Sequence, residues 1–265
     1  MKIIDSHVMI QSLGQQELEV LAAAGVRALV ADAAGGMDYA TSAPAAINFF
    51  EQTLAGETKR ASDYSIEVYV LVGVKMTAIP PDYQGILDVL PEYLKRPRVV
   101  GIGEIGIEPR SKTCPDLSVQ EEIVRAELKM AKQYEKAVLL HLPATDRTSW
   151  VERYVKLIDE SGLDRSMAII THSDASTTKT IVESQCVAGL SVLPMRRMTA
   201  EDAARIVAEN DMDRILVTSD NNNRHSCDPI SVPRVAVQMR RLGMTEETIE
   251  RVLFHNPRRI LDLAI

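Results

Sequence analysis

Residues 99–106 read VVGIGEIG, an apolar run in which Glu104 is the one charged side chain. Apolar runs of this length are typical of strands that are buried on both faces of a parallel sheet. The same stretch places Gly101, Gly103 and Gly106 in the spacing G-x-G-x-x-G, which in an open doubly wound sheet binds a dinucleotide. The residues on either side of the run decide between this fold and other α/β folds.

The residues after Gly106 argue against a dinucleotide site. That site needs a helix to begin at the third glycine, so that the helix N-terminus meets the pyrophosphate. Here residues 107–118 read IEPRSKTCPDLS, and Pro109 and Pro115 interrupt any helix. We interpret the glycines instead as positions where the backbone packs closely around Glu104.

Seven further runs of apolar or β-branched residues predict strands. They are KIID, VRALVA, IEVYVLVGV, AVLLH, MAIITH, VAGLSVL and RILVTSD, beginning at residues 2, 26, 66, 137, 167, 187 and 214. Segments with helical character lie between them, and several end in the glycine that is typical of a helix C-terminus. Eight strands alternating with helices over about 250 residues favour a closed (β/α)8 barrel over an open sheet.

We therefore predict an α/β fold in which residues 1–265 form a single TIM barrel domain. The segment 41–63 is longer than one crossover helix requires, so we expect an extra helix there. Residues 245–263 are expected to form closing helices.

Composition narrows the classes of function. The chain has 265 residues, 46% of them hydrophobic, and 30 Lys and Arg against 37 Asp and Glu give a net charge of −7. This excludes a disordered chain and argues against an extended nucleic-acid-binding face, which needs clustered cations. Cys114, Cys186 and Cys227 have no C-x-x-C spacing, so neither a disulfide framework nor a cysteine zinc site is indicated. Asp5 and His7 interrupt the first apolar run, no later run reaches membrane-spanning length, and we expect a cytoplasmic protein.

Residues of metal-ligand type follow five of the predicted strands. In a (β/α)8 barrel the active site lies at the C-terminal ends of the strands. A lone histidine there is more often a hydrogen-bonded core residue, but five such residues at one barrel mouth favour a metal site. Three imidazoles and two carboxylates suit Zn²⁺ or another borderline divalent ion. The five are His7, Glu104, His141, His172 and Asp220.

The motifs around these residues resemble one family over essentially the whole chain. They are D-x-H at residue 5, G-x-G-E-x-G around Glu104, His after strand five, T-H after strand six, S-D after strand eight and a terminal N-P-x-x-I. This pattern is similar to the TatD-like branch of the metal-dependent amidohydrolase superfamily. The resemblance implies that Glu104 bridges two ions, with His7 and Asp220 on one side and His141 and His172 on the other.

The chain departs from the family pattern at the first strand, where His-x-His becomes His7, Val8, Met9. A thioether is a poor ligand for Zn²⁺ or Mn²⁺, so a centre with one ion, or with a partly occupied second site, is an alternative to two ions. The polar loop after strand eight contains His225 and Cys227. Either side chain is a candidate to replace the missing ligand, although the loop also fits a solvated turn.

Two further positions concern the substrate. After strand three, Lys75 and Met76 stand where many relatives place a histidine and a proline, which weakens a nuclease assignment. Lys75 is a candidate to bind an anionic group of the substrate, with a solvent-facing lysine as the alternative. Arg196, in the loop after strand seven, is a candidate for the same role because a guanidinium matches phosphate or carboxylate geometry. His225, in the loop after strand eight, is a further candidate to contact the substrate.

These observations favour a metal-dependent hydrolase that acts on a small ester, amide or phosphoester. One or two divalent ions would activate a water molecule, and Asp220 would accept its proton. We expect the bound ion to be Zn²⁺, and Mn²⁺, Mg²⁺, Ni²⁺ and Fe²⁺ are the alternatives. A TatD-type deoxyribonuclease with 3′–5′ exonuclease activity is the first alternative, and a non-catalytic ligand-binding descendant is the second. The expected partner is a small molecule; nucleic acid is not favoured, no membrane is involved, and the oligomeric state is not indicated.

Overall fold

Eight parallel strands form one sheet whose spatial order is the order of the sequence. The computed structural model describes residues 1–33, 41–112, 114–194, 196–222 and 228–265. Each apolar run of the sequence forms a strand. Its side chains are buried on both faces of the sheet, against the barrel interior on one face and against an outer layer of helices on the other. The strands are β1 Ile3–Val8, β2 Val26–Asp32, β3 Glu67–Val72, β4 Val99–Gly106, β5 Ala137–His141, β6 Ala168–Thr171, β7 Val187–Ser191 and β8 Ile215–Thr218.

The sheet closes where the first strand meets the last. Met9 N donates to the carbonyl oxygen of Asn221 at 2.8 Å, and Asp220 N donates to that of His7 at 3.1 Å. Val8 and Asn221 form a parallel bridge at the same point. The predicted (β/α)8 barrel is confirmed.

Helices follow the strands and cover the outside of the barrel. They are α1 Gln15–Ala23, α2 Ala43–Glu51, α3 Thr58–Ser62, α4 Gln84–Tyr93, α5 Leu117–Gln133, α6 Arg147–Ser161, α7 Thr178–Glu183, α8 Ala200–Glu209, α9 Ser231–Arg241, α10 Glu246–Glu250 and α11 Asn256–Ile260. Among the residues that the structure describes, no helix is long and apolar enough to cross a membrane.

The two segments that were expected to hold additional helices contain π-helical turns. Gln52–Glu57 joins α2 to α3, so the segment after β2 is one continuous helical run that begins at its cap, Ser42. Arg251–His255 joins α10 to α11 in the same way. The additional length therefore extends helices without forming a separate layer.

The glycines of β4 allow close packing of backbone and side chains. A Cβ atom at Gly103 would lie 2.6 Å from Cβ of Leu139, which is too close for any side chain. Gly106 has φ +140°, and a Cβ there would lie 2.8 Å from Oη of Tyr154. The next helix, α5, begins only at Leu117, well after Gly106. The structure thus agrees with the interpretation of these glycines as packing positions.

Buried apolar side chains fill the barrel interior below its mouth. Ile4, Leu71, Leu139 and Leu216 belong to this inner cluster, which Phe254 and neighbouring side chains of the closing helices complete. A larger cluster lies between the strands and the outer helices. The polar side chains described next lie above the inner cluster, at the C-terminal ends of the strands.

Candidate metal centre

The two-residue period of a strand explains why several polar side chains enter the barrel mouth. Ala28 and Val30 belong to the inner cluster, and the same face of β2 next presents Asp32. On β5, Ala137 and Leu139 are followed in the same way by His141. The last inward-facing residue of each of these strands is thus a buried polar residue, and these residues lie together at the barrel mouth.

Glu104, His141 and His172 form the tightest group of potential metal ligands. Oε1 of Glu104 lies 2.8 Å from Nε2 of His172 and 3.2 Å from Nδ1 of His141. The Thr171 hydroxyl donates to the same oxygen at 3.1 Å. All three ligand-type side chains are buried. Two imidazoles and one carboxylate converging on one point are a ligand set of the kind that catalytic zinc sites use.

Neighbouring polar groups hold the two imidazoles in place. The other ring nitrogen of His172, Nδ1, lies 2.8 Å from the hydroxyl oxygen of Ser191. Nε2 of His141 lies 3.6 Å from Oε2 of Glu108. Metal-ligating histidines are usually oriented by such a partner at the second ring nitrogen.

A second group consists of His7, Asp32 and Glu104. Nε2 of His7 lies 3.9 Å from Oδ2 of Asp32, and both side chains are buried. Among the described residues, neither ring nitrogen of His7 has a hydrogen-bond partner. Asp32 was not among the ligands predicted from the sequence, although it ends the apolar strand β2 just as His141 ends β5.

Lys75 lies inside this second group and is buried, so it does not face solvent. Its ammonium nitrogen is 2.8 Å from Oδ2 of Asp32 and 3.1 Å from Oε2 of Glu104. Oδ1 of Asp32 accepts a hydrogen bond from the backbone N–H of Glu104 at 3.1 Å. A lysine cation is therefore bound by two carboxylates at the point where His7, Asp32 and Glu104 meet.

Asp220 lies beside these two groups without belonging to either. Its Oδ2 is 3.7 Å from Nδ1 of His172 and 3.9 Å from Nε of Arg197. The backbone around it is held by Asp5, whose Oδ1 accepts from Ser219 N and from the Thr218 hydroxyl, both at 3.0 Å.

The structure thus places all five sequence-predicted ligands at one barrel mouth, with Asp32, not Asp220, completing the group around His7.

The carboxylates give the mouth a negative potential. Burial opposes a charge on His7, but Glu104, Asp220 and Asp32 outweigh it and raise the pKa of His7 to about 9. Burial likewise opposes the charge of Glu104, yet Lys75 and the neighbouring histidines hold its pKa well below the usual range. Such a cluster favours the binding of a cation.

The opposite shift occurs at His172 and Asp220. Burial, together with the Arg197 guanidinium, holds the pKa of His172 well below the usual range. His172 is therefore neutral and has a lone pair for a metal ion. Burial raises the pKa of Asp220 to about 6, which places its titration close to neutral pH.

A cavity of about 320 Å³ opens above these residues. Besides the buried polar groups, its walls include Met9, Leu193, Arg196, Arg197 and Asn222. The two remaining candidates from the loop after β8, His225 and Cys227, lie outside the described residues.

A larger cavity, about 850 Å³, lies at the other end of the barrel. It is lined by the beginning of β7, the residues before β8 and the closing helices, with Arg214, Arg251 and Asn256 among the lining side chains. Neither group of potential metal ligands found in the described part of the chain touches this cavity. The chemistry is therefore assigned to the smaller cavity at the barrel mouth.

Comparison with known proteins gives a family over nearly the whole chain. The family model described as TatD related DNase matches residues 4–262. A metal-dependent hydrolase of uncharacterised activity from Methanocaldococcus jannaschii is 26% identical over 255 residues, which cover 96% of this chain and 97% of that protein.

Solved structures share the fold at low sequence identity. A TatD-like protein from Archaeoglobus fulgidus superposes with a TM-score of 0.76 at 23% identity, covering 98% of this chain and 100% of that one. The phosphotriesterase homology protein from Escherichia coli, complexed with phosphate in its active site, gives a TM-score of 0.72 at 14% identity, with 98% of each chain covered.

Proposed function

Because the chain belongs to the TatD-related DNase family, we propose that it is a hydrolase whose divalent ion is held by Glu104, His141 and His172. The observation that carries this proposal is the approach of Nε2 of His172 and Nδ1 of His141 to one oxygen of Glu104, at 2.8 and 3.2 Å. The metal-dependent hydrolase from Methanocaldococcus jannaschii supports the same assignment.

We infer zinc from the donor set, because two imidazole nitrogens and one carboxylate oxygen are ligands that zinc uses at catalytic sites. The approach of both nitrogens to one carboxylate oxygen, at 2.8 and 3.2 Å, supports a single ion between the three side chains. Ser191 and Glu108 orient the two imidazoles from behind, as at known metal sites. Three protein ligands leave a position open, which is the arrangement of a catalytic site and not of a structural one.

When bound, the ion would lower the pKa of a coordinated water and polarise the oxygen of the substrate bond. Asp220 would accept the proton of the attacking water and pass it to the leaving group. Its pKa of about 6, raised by burial, suits a group that must both take up and release a proton near neutral pH. Arg197, 3.9 Å from Asp220, would orient that carboxylate.

We propose a small anionic substrate, such as a phosphoester or a carboxylate-bearing ester or amide. A volume of about 320 Å³ corresponds to a small-molecule pocket. Arg196 and Arg197 line the pocket, and their guanidinium groups match anionic oxygens. The phosphate in the active site of the Escherichia coli phosphotriesterase homology protein supports this choice.

Deoxyribonuclease activity is the second candidate, and the description of the matching family favours it. The phosphodiester bond of a 3′ terminal nucleotide belongs to the same chemical class as a small phosphoester. Substrate length distinguishes the two candidate functions, because an exonuclease would also need to bind the DNA strand outside the barrel mouth.

The proposed function is tested by metal analysis of the purified protein, followed by hydrolysis assays with added Zn²⁺ or Mn²⁺. The substrates are small phosphoesters, esters and amides, and a 3′-labelled DNA oligonucleotide. We expect bound metal and turnover of at least one small substrate. His141→Ala is expected to lose both, whereas His255→Ala, which lies outside the mouth, is expected to keep both.

Two results would contradict the proposal. A protein that binds no divalent metal, and in which His141→Ala changes nothing, would be a ligand-binding descendant of a hydrolase. If Asp220→Asn kept full turnover with metal still bound, Asp220 would not be the proton acceptor.

A further inference from the structure

Lys75 raises the question of how many metal ions this mouth accepts. His7, Asp32 and Glu104 offer three ligand atoms within 4.8 Å of one another, which resembles a second metal site. The ammonium of Lys75, however, already lies 2.8 Å from Oδ2 of Asp32 and 3.1 Å from Oε2 of Glu104. Oδ2 is also the Asp32 atom that faces Nε2 of His7, at 3.9 Å.

We propose that the Lys75 ammonium takes the place of a second metal ion, so that the centre binds one divalent ion, on Glu104, His141 and His172. This inference rests on the proposed function, because it assumes that the first ion binds. Lys75 then supplies a cation from the chain itself. Neither the replacement of a histidine by Met9 nor the family pattern predicts this role.

Position supports the assignment. A metal ion bound to Asp32 and Glu104 would sit about 2.0–2.2 Å from each oxygen, within the same space that the ammonium occupies. Two cations sharing these two oxygens would repel each other strongly in a buried site, where there is little water to screen them. The lysine is buried among its partners and reaches them from the end of β3, whose inward row runs through Tyr69 and Leu71.

Charge supports it as well. Asp32, Glu104 and Asp220 carry up to three negative charges at the mouth, and all three side chains are buried. One divalent ion and the Lys75 ammonium already match this number, and the Arg197 guanidinium, 3.9 Å from Asp220, adds a further positive charge. A second divalent ion in addition to Lys75 would leave an excess of at least two positive charges in a buried site, which is unfavourable.

The assignment also gives Glu104 a bridging role of a different kind. Its Oε1 faces the two imidazoles, and its Oε2 faces the ammonium. The carboxylate thus joins one metal position to one lysine, instead of joining two metal positions.

Metal stoichiometry tests the inference without an activity assay. Metal-free protein is loaded with excess Zn²⁺ and desalted, and its zinc content per chain is measured by inductively coupled plasma mass spectrometry. We expect one zinc per chain in the parent and two in Lys75→Met, which keeps the length of the side chain and removes its charge. Lys179→Met, an exposed control, is expected to stay at one.

Met9→His provides an independent test that leaves Lys75 in place. If Met9 alone limited the centre, this variant would bind two ions; with Lys75 as the limiting group it stays at one. Manganese-loaded protein gives the same answer by electron paramagnetic resonance, because two adjacent ions show exchange coupling and a single ion does not. We expect coupling in Lys75→Met only.

The outcomes separate this inference from the proposed function. Two ions in the parent, two in Met9→His, or one in a folded Lys75→Met would overturn the role of Lys75 while leaving a metal-dependent hydrolase intact. The absence of bound metal from the parent would overturn both.

Discussion

The hydroxyl of Tyr154 donates a hydrogen bond to the carbonyl oxygen of His141 at 2.7 Å. The same hydroxyl accepts one from the backbone N–H of Ile107 at 2.9 Å. Tyr154 belongs to α6 and is fully buried, so one side chain of the outer layer joins the ends of β4 and β5 beside His141, a candidate metal ligand.

Tyr154→Phe is therefore expected to lower the free energy of unfolding by about 1–3 kcal/mol, since it leaves a buried donor and a buried acceptor without a partner. Urea denaturation followed by circular dichroism measures the change. Tyr64→Phe, on a half-buried ring, is the control and is expected to change stability by less than about 0.5 kcal/mol. Equal effects of the two substitutions would contradict the role given to the Tyr154 hydroxyl.

Ser191→Ala is expected to weaken metal binding. The serine hydroxyl is the partner of Nδ1 of His172, and loss of such a partner typically costs about 10–100-fold in affinity. Competition with a chromophoric chelator measures the affinity. Ser184→Ala removes a hydroxyl that donates to the carbonyl oxygen of Ile181 in α7, and this control should leave the affinity unchanged.

Asp32→Asn tests the residue that sequence reasoning missed. The amide oxygen can still accept from the Glu104 N–H, but the buried Lys75 loses one of its carboxylates. We expect a loss of about 3 kcal/mol in the free energy of unfolding, at the lower end of the range for a broken buried ion pair because Glu104 remains. Chemical denaturation checks this value. The exposed Asp88→Asn is the control, and a loss no larger than that of the control would argue against a structural ion pair.

Glu127→Gln is expected to change the pH dependence of stability. Burial raises the pKa of Glu127 to about 8, although its Oε1 accepts a hydrogen bond from Val74 N at 2.7 Å. In the unfolded chain the group titrates near 4.5. The folded protein therefore keeps a proton that the unfolded chain releases, and the contribution of Glu127, complete below 4.5, is lost as the pH rises towards 8.

The glutamine variant does not titrate, so its stability relative to the parent should rise over that pH interval, by about 1.4 kcal/mol for each unit of pKa shift at most. Denaturation of both proteins at several pH values measures the difference. Glu122→Gln, on an exposed position of the same helix, is the control. A difference between Glu127→Gln and the parent that did not vary with pH would show that Glu127 is ionised in the folded protein.

Much of the fold could be predicted from the sequence because each strand is a short apolar run, and several of these runs contain or are followed by a polar residue. His7, Glu104, His141, His172 and Asp220 were found by that signal. Their arrangement could not be found in the same way, because it depends on the register between strands.

Lys75 shows the limit most clearly. The sequence left open whether its ammonium binds an anion of the substrate or faces solvent. The structure shows it bound to Asp32, 43 residues away, and to Glu104, 29 residues away. An ion pair between residues so distant along the chain produces no local sequence pattern. In the sequence, Asp32 is recognisable only as the end of a strand.

The seam between β1 and β8 has a consequence for biosynthesis. Asp5 bonds to Thr218 and Ser219, more than 200 residues later, so His7 and Asp220 come together only when the last strand has been made. A nascent chain that ends before β8 exposes β1 and β7 as unpaired edges, which are prone to pair with other chains. Asp220 therefore joins the barrel mouth last in the order of synthesis, after Glu104, His141 and His172, and a chain that ends before β8 lacks it.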